Sequence, residues 1–112
     1  ITLEETKMKK VINGKMYNTE TAESIAYFDN DKYSNDYYFT CARLYRKKTG
    51  EFFVHDERGW YSQDYIGYEN YYQTDFDPKQ PIYPLTEDEA KRLVASQCDG
   101  DKYQSLFGTV EE

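Results

Sequence analysis

Tyr38-Phe39-Thr40-Cys41-Ala42-Arg43-Leu44-Tyr45-Arg46, then Lys47-Lys48-Thr49-Gly50, then Glu51-Phe52-Phe53-Val54-His55, is the stretch whose reading decides the fold. In the first run Phe39, Cys41, Arg43 and Tyr45 alternate against Tyr38, Thr40, Ala42 and Leu44, which is the period of a strand. The four residues after it make a turn. The last run, led by Phe52, Phe53 and Val54, is rich in strand formers. Two such runs across a short turn predict the central antiparallel hairpin of a sheet.

Upstream, Asn13-Gly14 lies between Lys10-Val11-Ile12 and Lys15-Met16-Tyr17. Asn-Gly is a strong hairpin signal, because both central residues of a tight hairpin turn need positive φ. Asn18 and Thr19 then offer caps, and Glu20 to Phe28 reads as an N-terminal helix. Ala22, Ile25 and Ala26 would share one face of it, and Glu20 and Glu23 the other. Asp29 to Asp36 reads as a polar loop, with Tyr33 the exception. Residues 1–8 read as a polar leader, with Met8 a natural start.

Downstream, Trp60-Tyr61 is expected to open another strand. From there to Phe76 the period is lost, and Pro78, Pro81 and Pro84 bar a helix. Thr86-Glu87-Asp88-Glu89 has the pattern of a capping box, with Leu85 and Ala90 as its hydrophobic staple. It predicts a helix that buries Ala90, Leu93 and Val94. A second helix, about Gly100 to Phe107, follows Asp99 as cap and ends at Gly108. The expected fold is α+β: a small antiparallel sheet of about four strands, packed with one N-terminal helix and two C-terminal helices. Residues 9–112 form one domain with an acidic-aromatic insertion near 57–81.

At 112 residues the chain suits one domain with a modest core. Its apolar content is unusual: 13 Tyr, 6 Phe and 1 Trp make it richer in aromatics than in aliphatics suited to a deep core. Tyrosine tolerates the surface and loses little entropy when fixed at an interface. Mean hydropathy is −0.99. With 14 Lys and Arg against 21 Asp and Glu, the formal charge is −7. Such a chain repels nucleic acid and anionic membranes and attracts basic partners. The same charge also serves solubility.

The residues for catalysis are few. His55 is the one histidine, and its neighbours Val54 and Asp56 complete no motif. Nothing near Cys41 marks it as an activated nucleophile. One histidine with two distant cysteines, Cys41 and Cys98, does not build a zinc site. Asp29-Asn30-Asp31 and Asp99-Gly100-Asp101 do not continue into a calcium loop, and they read as loop and cap chemistry. No glycine-rich phosphate loop is present. No catalytic, cofactor-binding or metal-ligating residue is assigned, and the expectation is a protein that is not an enzyme. Two cysteines without a signal-peptide pattern point to free thiols in a cytoplasm.

The feature above background is residues 60–77. No Lys or Arg occurs between Arg58 and Lys79, and aromatics interleave with acids. Trp60, Tyr65, Tyr68, Tyr71 and Tyr72 could anchor a partner, while Asp64, Glu69, Asp75 and Asp77 pair with its arginines or lysines. Carboxylates spaced among rings imitate phosphates spaced among bases. The plainer reading is an irregular insertion whose rings fold back onto the sheet.

Three runs carry a resemblance. They are Lys9-Lys10-Val11-Ile12-Asn13-Gly14-Lys15-Met16-Tyr17-Asn18-Thr19-Glu20-Thr21-Ala22, Leu44-Tyr45-Arg46-Lys47-Lys48-Thr49-Gly50-Glu51-Phe52-Phe53 and Pro84-Leu85-Thr86-Glu87-Asp88-Glu89-Ala90, followed by Tyr103 and Phe107-Gly108. The chain resembles a family of small proteins carried by phages and other mobile elements of Gram-positive bacteria. Some members are linked to anti-CRISPR proteins that inhibit type II-A Cas9. The matching runs are scaffold motifs over about half the chain. The resemblance implies a Cas9 inhibitor that blocks DNA or guide-RNA engagement. The alternative is an accessory or regulatory module of a mobile element without a CRISPR target. The tyrosine surface could also close a homodimer.

Overall fold

The computed structural model describes residues 7–67 and 81–112. Of the expected leader, residues 1–6 lie outside them. Met8 belongs to the folded domain: its amide donates to Thr19 Oγ1 at 2.9 Å, and its carbonyl accepts from the Thr19 amide at 2.9 Å. The strands are β1 (Lys9–Ile12), β2 (Lys15–Asn18), β3 (Glu23–Asp29), β4 (Cys41–Arg46), β5 (Phe52–His55) and β6 (Ile82–Leu85). A wide π-helical turn spans Trp60–Tyr65, and two helices, α1 (Glu87–Gln97) and α2 (Gly100–Phe107), follow β6. β1 and β2 form a separate two-stranded hairpin, and the main sheet runs β3-β4-β5-β6, antiparallel throughout.

The expected turns and C-terminal helices are present. Asn13 and Gly14 take φ of 52° and 76°, the left-handed geometry of the tight turn. β4 and β5 form the predicted central hairpin, although β4 begins at Cys41 and leaves Tyr38 outside it. Thr86 and Glu89 close the capping box with bonds of 3.0 and 3.1 Å. Asp99 caps α2 through the Lys102 amide at 2.9 Å. Ala90, Leu93 and Val94 are fully buried, as the helical spacing predicts.

The expected N-terminal helix over Glu20–Phe28 is not there; Glu23–Asp29 is a strand. Asn18 and Thr19 cap a turn instead. The Asn18 side chain accepts from the Glu20 amide at 2.9 Å, and its carbonyl accepts from the Thr21 and Ala22 amides. A bulge between Ser24 and Ala26 then adds one residue to the strand. The bulge places Ile25 and Phe28, three apart, in the same core cluster. A strand thereby imitates helical spacing.

One other expectation also changes, and one strand is added. Trp60-Tyr61 opens the π-helical turn, where Gly59 at φ 81° reverses the chain, and not a strand. β6 was hidden by its prolines, which seldom sit inside a sheet. Among the described residues it is an edge strand, with Pro84 opposite Phe53, so the missing amide costs the ladder little.

Both faces of the main sheet are covered. On one face Ile25, Phe28, Ala42, Leu44, Phe52 and Val54 pack against Trp60, Tyr61 and the stripe of α1. On the other, the Tyr45 and Phe53 rings stack at 5.2 Å, and Tyr17 from the small hairpin meets Phe53 edge-on at 5.4 Å. Lys47 Nζ lies 4.4 Å from the centre of the Tyr17 ring, and Lys15 pairs with Glu51 at 3.0 Å, which ties the hairpin to the β4–β5 turn. Among the described residues no helix is long and apolar enough to cross a membrane.

Leu93 contacts the sheet core and is fully buried. Leu93→Ala should therefore lower stability by about 2–5 kcal/mol, read as a fall in the urea unfolding midpoint.

Candidate functional site

The end of the sheet where β3 leaves and β4 begins gathers the side chains of interest. Here the chain emerges from β5 through Asp56 and Glu57, and each carboxylate organises a different side.

Asp56 is buried and holds the π-helical turn. Its Oδ1 accepts from the Tyr61 amide at 2.8 Å and its Oδ2 from the Ser62 amide at 3.1 Å. Burial pushes its carboxyl up from the ordinary range, and those bonds work against the rise. Its own amide donates to the Pro81 carbonyl at 2.7 Å, so one residue joins β5, β6 and the turn.

Glu57 anchors a polar cluster on the opposite face of the sheet. Arg43 Nε donates to Glu57 Oε1 at 3.2 Å, and the Cys41 thiol donates to Glu57 Oε2 at 3.6 Å. His55 Nδ1 lies 3.9 Å from Glu57 Oε1 and is buried. A thiol, an imidazole and a carboxylate in one cluster invite a comparison with nucleophilic catalysis. The electrostatics oppose it. Burial first, and the Glu57 charge second, push the Cys41 thiol up to about 11, so thiolate is scarce at neutral pH. Both cysteines are free. Among the described residues no group of three potential ligands could hold a metal ion.

The sequence-predicted partner residues divide three ways. Trp60 is 6% exposed and lies in the core, stacked on Phe28 at 4.7 Å and on Tyr65 at 5.5 Å. Tyr65 is half-buried beside it, and Asp64 is exposed. Tyr68, Glu69, Tyr71, Tyr72, Asp75 and Asp77 lie outside the described residues. Asp64 Oδ2 accepts a hydrogen bond from Thr40 Oγ1, which ties the turn to the β3–β4 loop.

That loop carries the exposed rings that sequence reading missed. Tyr33, Tyr37 and Tyr38 are 85%, 88% and 70% exposed, the largest values among the big apolar side chains of the described residues. The loop is nevertheless well braced. The Asn30 side chain spans it, donating to the Tyr38 carbonyl at 2.8 Å and accepting from the Thr40 amide at 3.2 Å. Asp36 Oδ1 accepts from the Tyr38 amide at 2.7 Å, and the Asp36 amide donates to the Tyr33 carbonyl at 2.9 Å. Asp29 Oδ1 accepts from the Asp31 amide at 2.9 Å. Acids thus build the loop and also leave negative charge around its rings.

Beneath the loop opens a cleft of about 780 Å³, lined by Tyr27, Asp29, Lys32, Tyr33, Phe39 and Arg43, among others. The Arg43 guanidinium lies 4.8 Å from the centre of the Tyr27 ring. The signal that could have found this surface is Tyr37-Tyr38 directly after Asn35-Asp36: a turn pattern abutting two consecutive rings, which a strand would send to opposite faces. Comparison with protein-family models, curated proteins and solved structures finds no match to the chain.

Two outcomes follow from the carboxylates. Asp56→Ala leaves two buried amides without an acceptor and should cost about 2–4 kcal/mol, measured by chemical denaturation. A maleimide reagent should label half-buried Cys98 in the native protein and reach Cys41 only after unfolding. Peptide mapping by mass spectrometry reads this directly, and equal native labelling would contradict the buried cluster.

Proposed function

We propose that this protein is a non-catalytic inhibitor that binds Cas9 or its guide-RNA complex in the cytoplasm of a bacterial host, through an acidic surface bearing tyrosines. The observation that carries the binding reading is the braced β3–β4 loop with Tyr33, Tyr37 and Tyr38 in solvent. Three large rings exposed on one short loop make an amphipathic patch of the kind that marks an interaction site. Bracing by Asn30 and Asp36 lowers the entropy lost on docking. The excess of acids supplies the attraction to a basic surface, and the resemblance supplies Cas9 as its owner.

In this reading the rings anchor the contact, and Asp64 with the acids of 68–77 pairs with side chains that otherwise hold nucleic acid. The raised Cys41 thiol and the bracing role of Asp56 support a binding module over an enzyme.

The test is a cleavage assay with purified Cas9, joined to pull-downs on apo, guide-loaded and DNA-bound Cas9. Wild-type protein should inhibit cleavage, and its binding should weaken steeply with added salt. Replacing Tyr33, Tyr37 and Tyr38 together with Ser should weaken binding about 100-fold or more while leaving the unfolding midpoint in place. Changing Asp64, Asp75 and Asp77 to Asn and Glu69 to Gln should remove inhibition. Uninhibited cleavage at saturating wild-type protein would reject Cas9 as target and leave an accessory module of a mobile element. Shortening of guide RNA on incubation would reject the non-catalytic reading.

A further inference from the structure

The main sheet ends in two unlike edges. At one, the Asp56 amide bonds the Pro81 carbonyl, so by ladder alternation Pro84 within β6 faces outward, and a proline offers no amide to an incoming strand. At the other, β3 runs seven residues from Glu23 to Asp29 with neither proline nor lysine, two residues that commonly blunt edges. Its bulge lies between Ser24 and Ala26, which leaves Ala26 to Asp29 in regular register with β4. The Asn30 amide donates to the Thr40 carbonyl at 3.3 Å. By the alternation of an antiparallel ladder, Phe28 and Ala26 then also bond to β4, and the amides and carbonyls of Tyr27 and Asp29 face outward. Among the described residues no strand lies beyond β3.

We infer that β3 is a docking edge, to which an extended segment of the partner bearing lysine or arginine adds as a further antiparallel strand. The inference rests on the binding reading above and specifies how the contact is made. Charge selects the occupant. Glu23 and Asp29 stand at the two ends of the strand, and Asp31 and Asp36 follow in the loop, with Lys32 the one base of that loop. Glu23 shares its charge with Arg46 at 3.0 Å, so the Asp29 end is the more strongly acidic.

A second copy of this chain fits poorly. Each copy carries a net charge of −7, and the self-pairing centred on Ala26 would also set Glu23 against Asp29 at both ends, where like charges directly opposite are destabilising. Residues 68–80 carry Glu69, Asp75 and Asp77 against Lys79 alone, so their charge does not complement the edge either. A basic strand meets neither objection. Passing the Asp29 end, it would reach the cleft lined by Tyr27, Asp29, Lys32, Tyr33 and Arg43, where Glu57 already neutralises Arg43 at 3.2 Å and Asp29, Asp31 and Asp36 outnumber Lys32. Backbone bonds at the edge supply affinity, and the cleft with its rings supplies selection among side chains.

The test uses the full chain and two synthetic probes: the capped heptapeptide Lys-Thr-Val-Thr-Val-Thr-Lys and its counterpart with Glu at both ends. Amide shifts of ¹⁵N-labelled protein are followed during titration. The Lys peptide should move Tyr27 and Asp29 most, with a Kd of about 1 mM or tighter. The Glu peptide should bind about tenfold more weakly. Tyr27→Pro removes an outward amide and should abolish binding, while Tyr27→Val keeps the amide and should retain it.

Hydrogen exchange of wild-type protein with the Lys peptide covers the case in which Tyr27→Pro fails to fold. Slowed exchange at Tyr27 and Asp29 supports the edge. Shifts confined to Tyr33, Tyr37 and Tyr38, equal binding of both peptides, or no binding of either would overturn it. So would a dimer, seen in sedimentation, that protects the same amides. None of these outcomes depends on Cas9, so loss of the Cas9 reading leaves the edge inference standing or falling on its own.

Discussion

The structure depends on the β4–β5 pair being buried on both faces. Leu44 pairs with Val54 towards one core and Tyr45 with Phe53 towards the other. A sheet wetted on one face would need only one apolar layer; this one needs two, from a chain short of aliphatic residues. Aromatics make up the difference. The Tyr45–Phe53 stack and the Tyr17 edge fill one layer, and the Phe28–Trp60–Tyr65 stack fills part of the other. Large rings bury much area per residue, so a few of them complete cores that the available Leu, Ile and Val do not fill. The small hairpin has its place for the same reason. Its Tyr17 shuts the second face, and Lys15 and Lys47 converge on Glu51 to hold it there.

The same constraint shapes the exit from β5. After His55 the chain has to serve both layers, and the adjacent carboxylates of Asp56 and Glu57 do so in opposite directions. Asp56 collects the amides of the π-helical turn, which delivers Trp60 and Tyr61 to the helix-side core. Glu57 neutralises Arg43 and accepts from Cys41 on the other side. Burial of an acid is tolerated where hydrogen bonds replace its water. Both residues sit at the end of the sheet from which the β3–β4 loop also leaves, and Glu57 reaches Cys41 at the start of β4.

Acidic side chains therefore have several roles, and net charge alone does not reveal them. Glu89 and Asp99 close helix ends, Asp36 and Asp29 shape the tyrosine loop, Asp56 braces the turn, and Glu51 pins the hairpin. What these local bonds do not use is the overall negative field and the rings set within it. Trp60 illustrates the distinction among aromatics: in sequence it looks like an interface anchor, and in the fold it is a core residue. Among the described residues, the tyrosines of the β3–β4 loop are the rings most left in solvent.

Local chemistry made much of the fold legible in the sequence. The Asn-Gly turn, the β4–β5 hairpin, the Thr86–Glu89 capping box and the buried stripe of α1 are each determined by neighbours a few residues apart, so their signals survive without any tertiary context. The strand at Glu23–Asp29 was not legible, because its bulge turns a two-residue period into the three-residue spacing of Ile25 and Phe28. β6 was hidden because only its place at the sheet edge makes Pro84 acceptable. The exposure of Tyr33, Tyr37 and Tyr38 was likewise beyond the sequence, since a tyrosine reads alike whether it fills a core or faces water. By itself the sequence determined the turns, the caps and the sign of the charge. Only the tertiary structure decided which rings are buried and which strands flank the described sheet, because both depend on what packs against a residue from far along the chain.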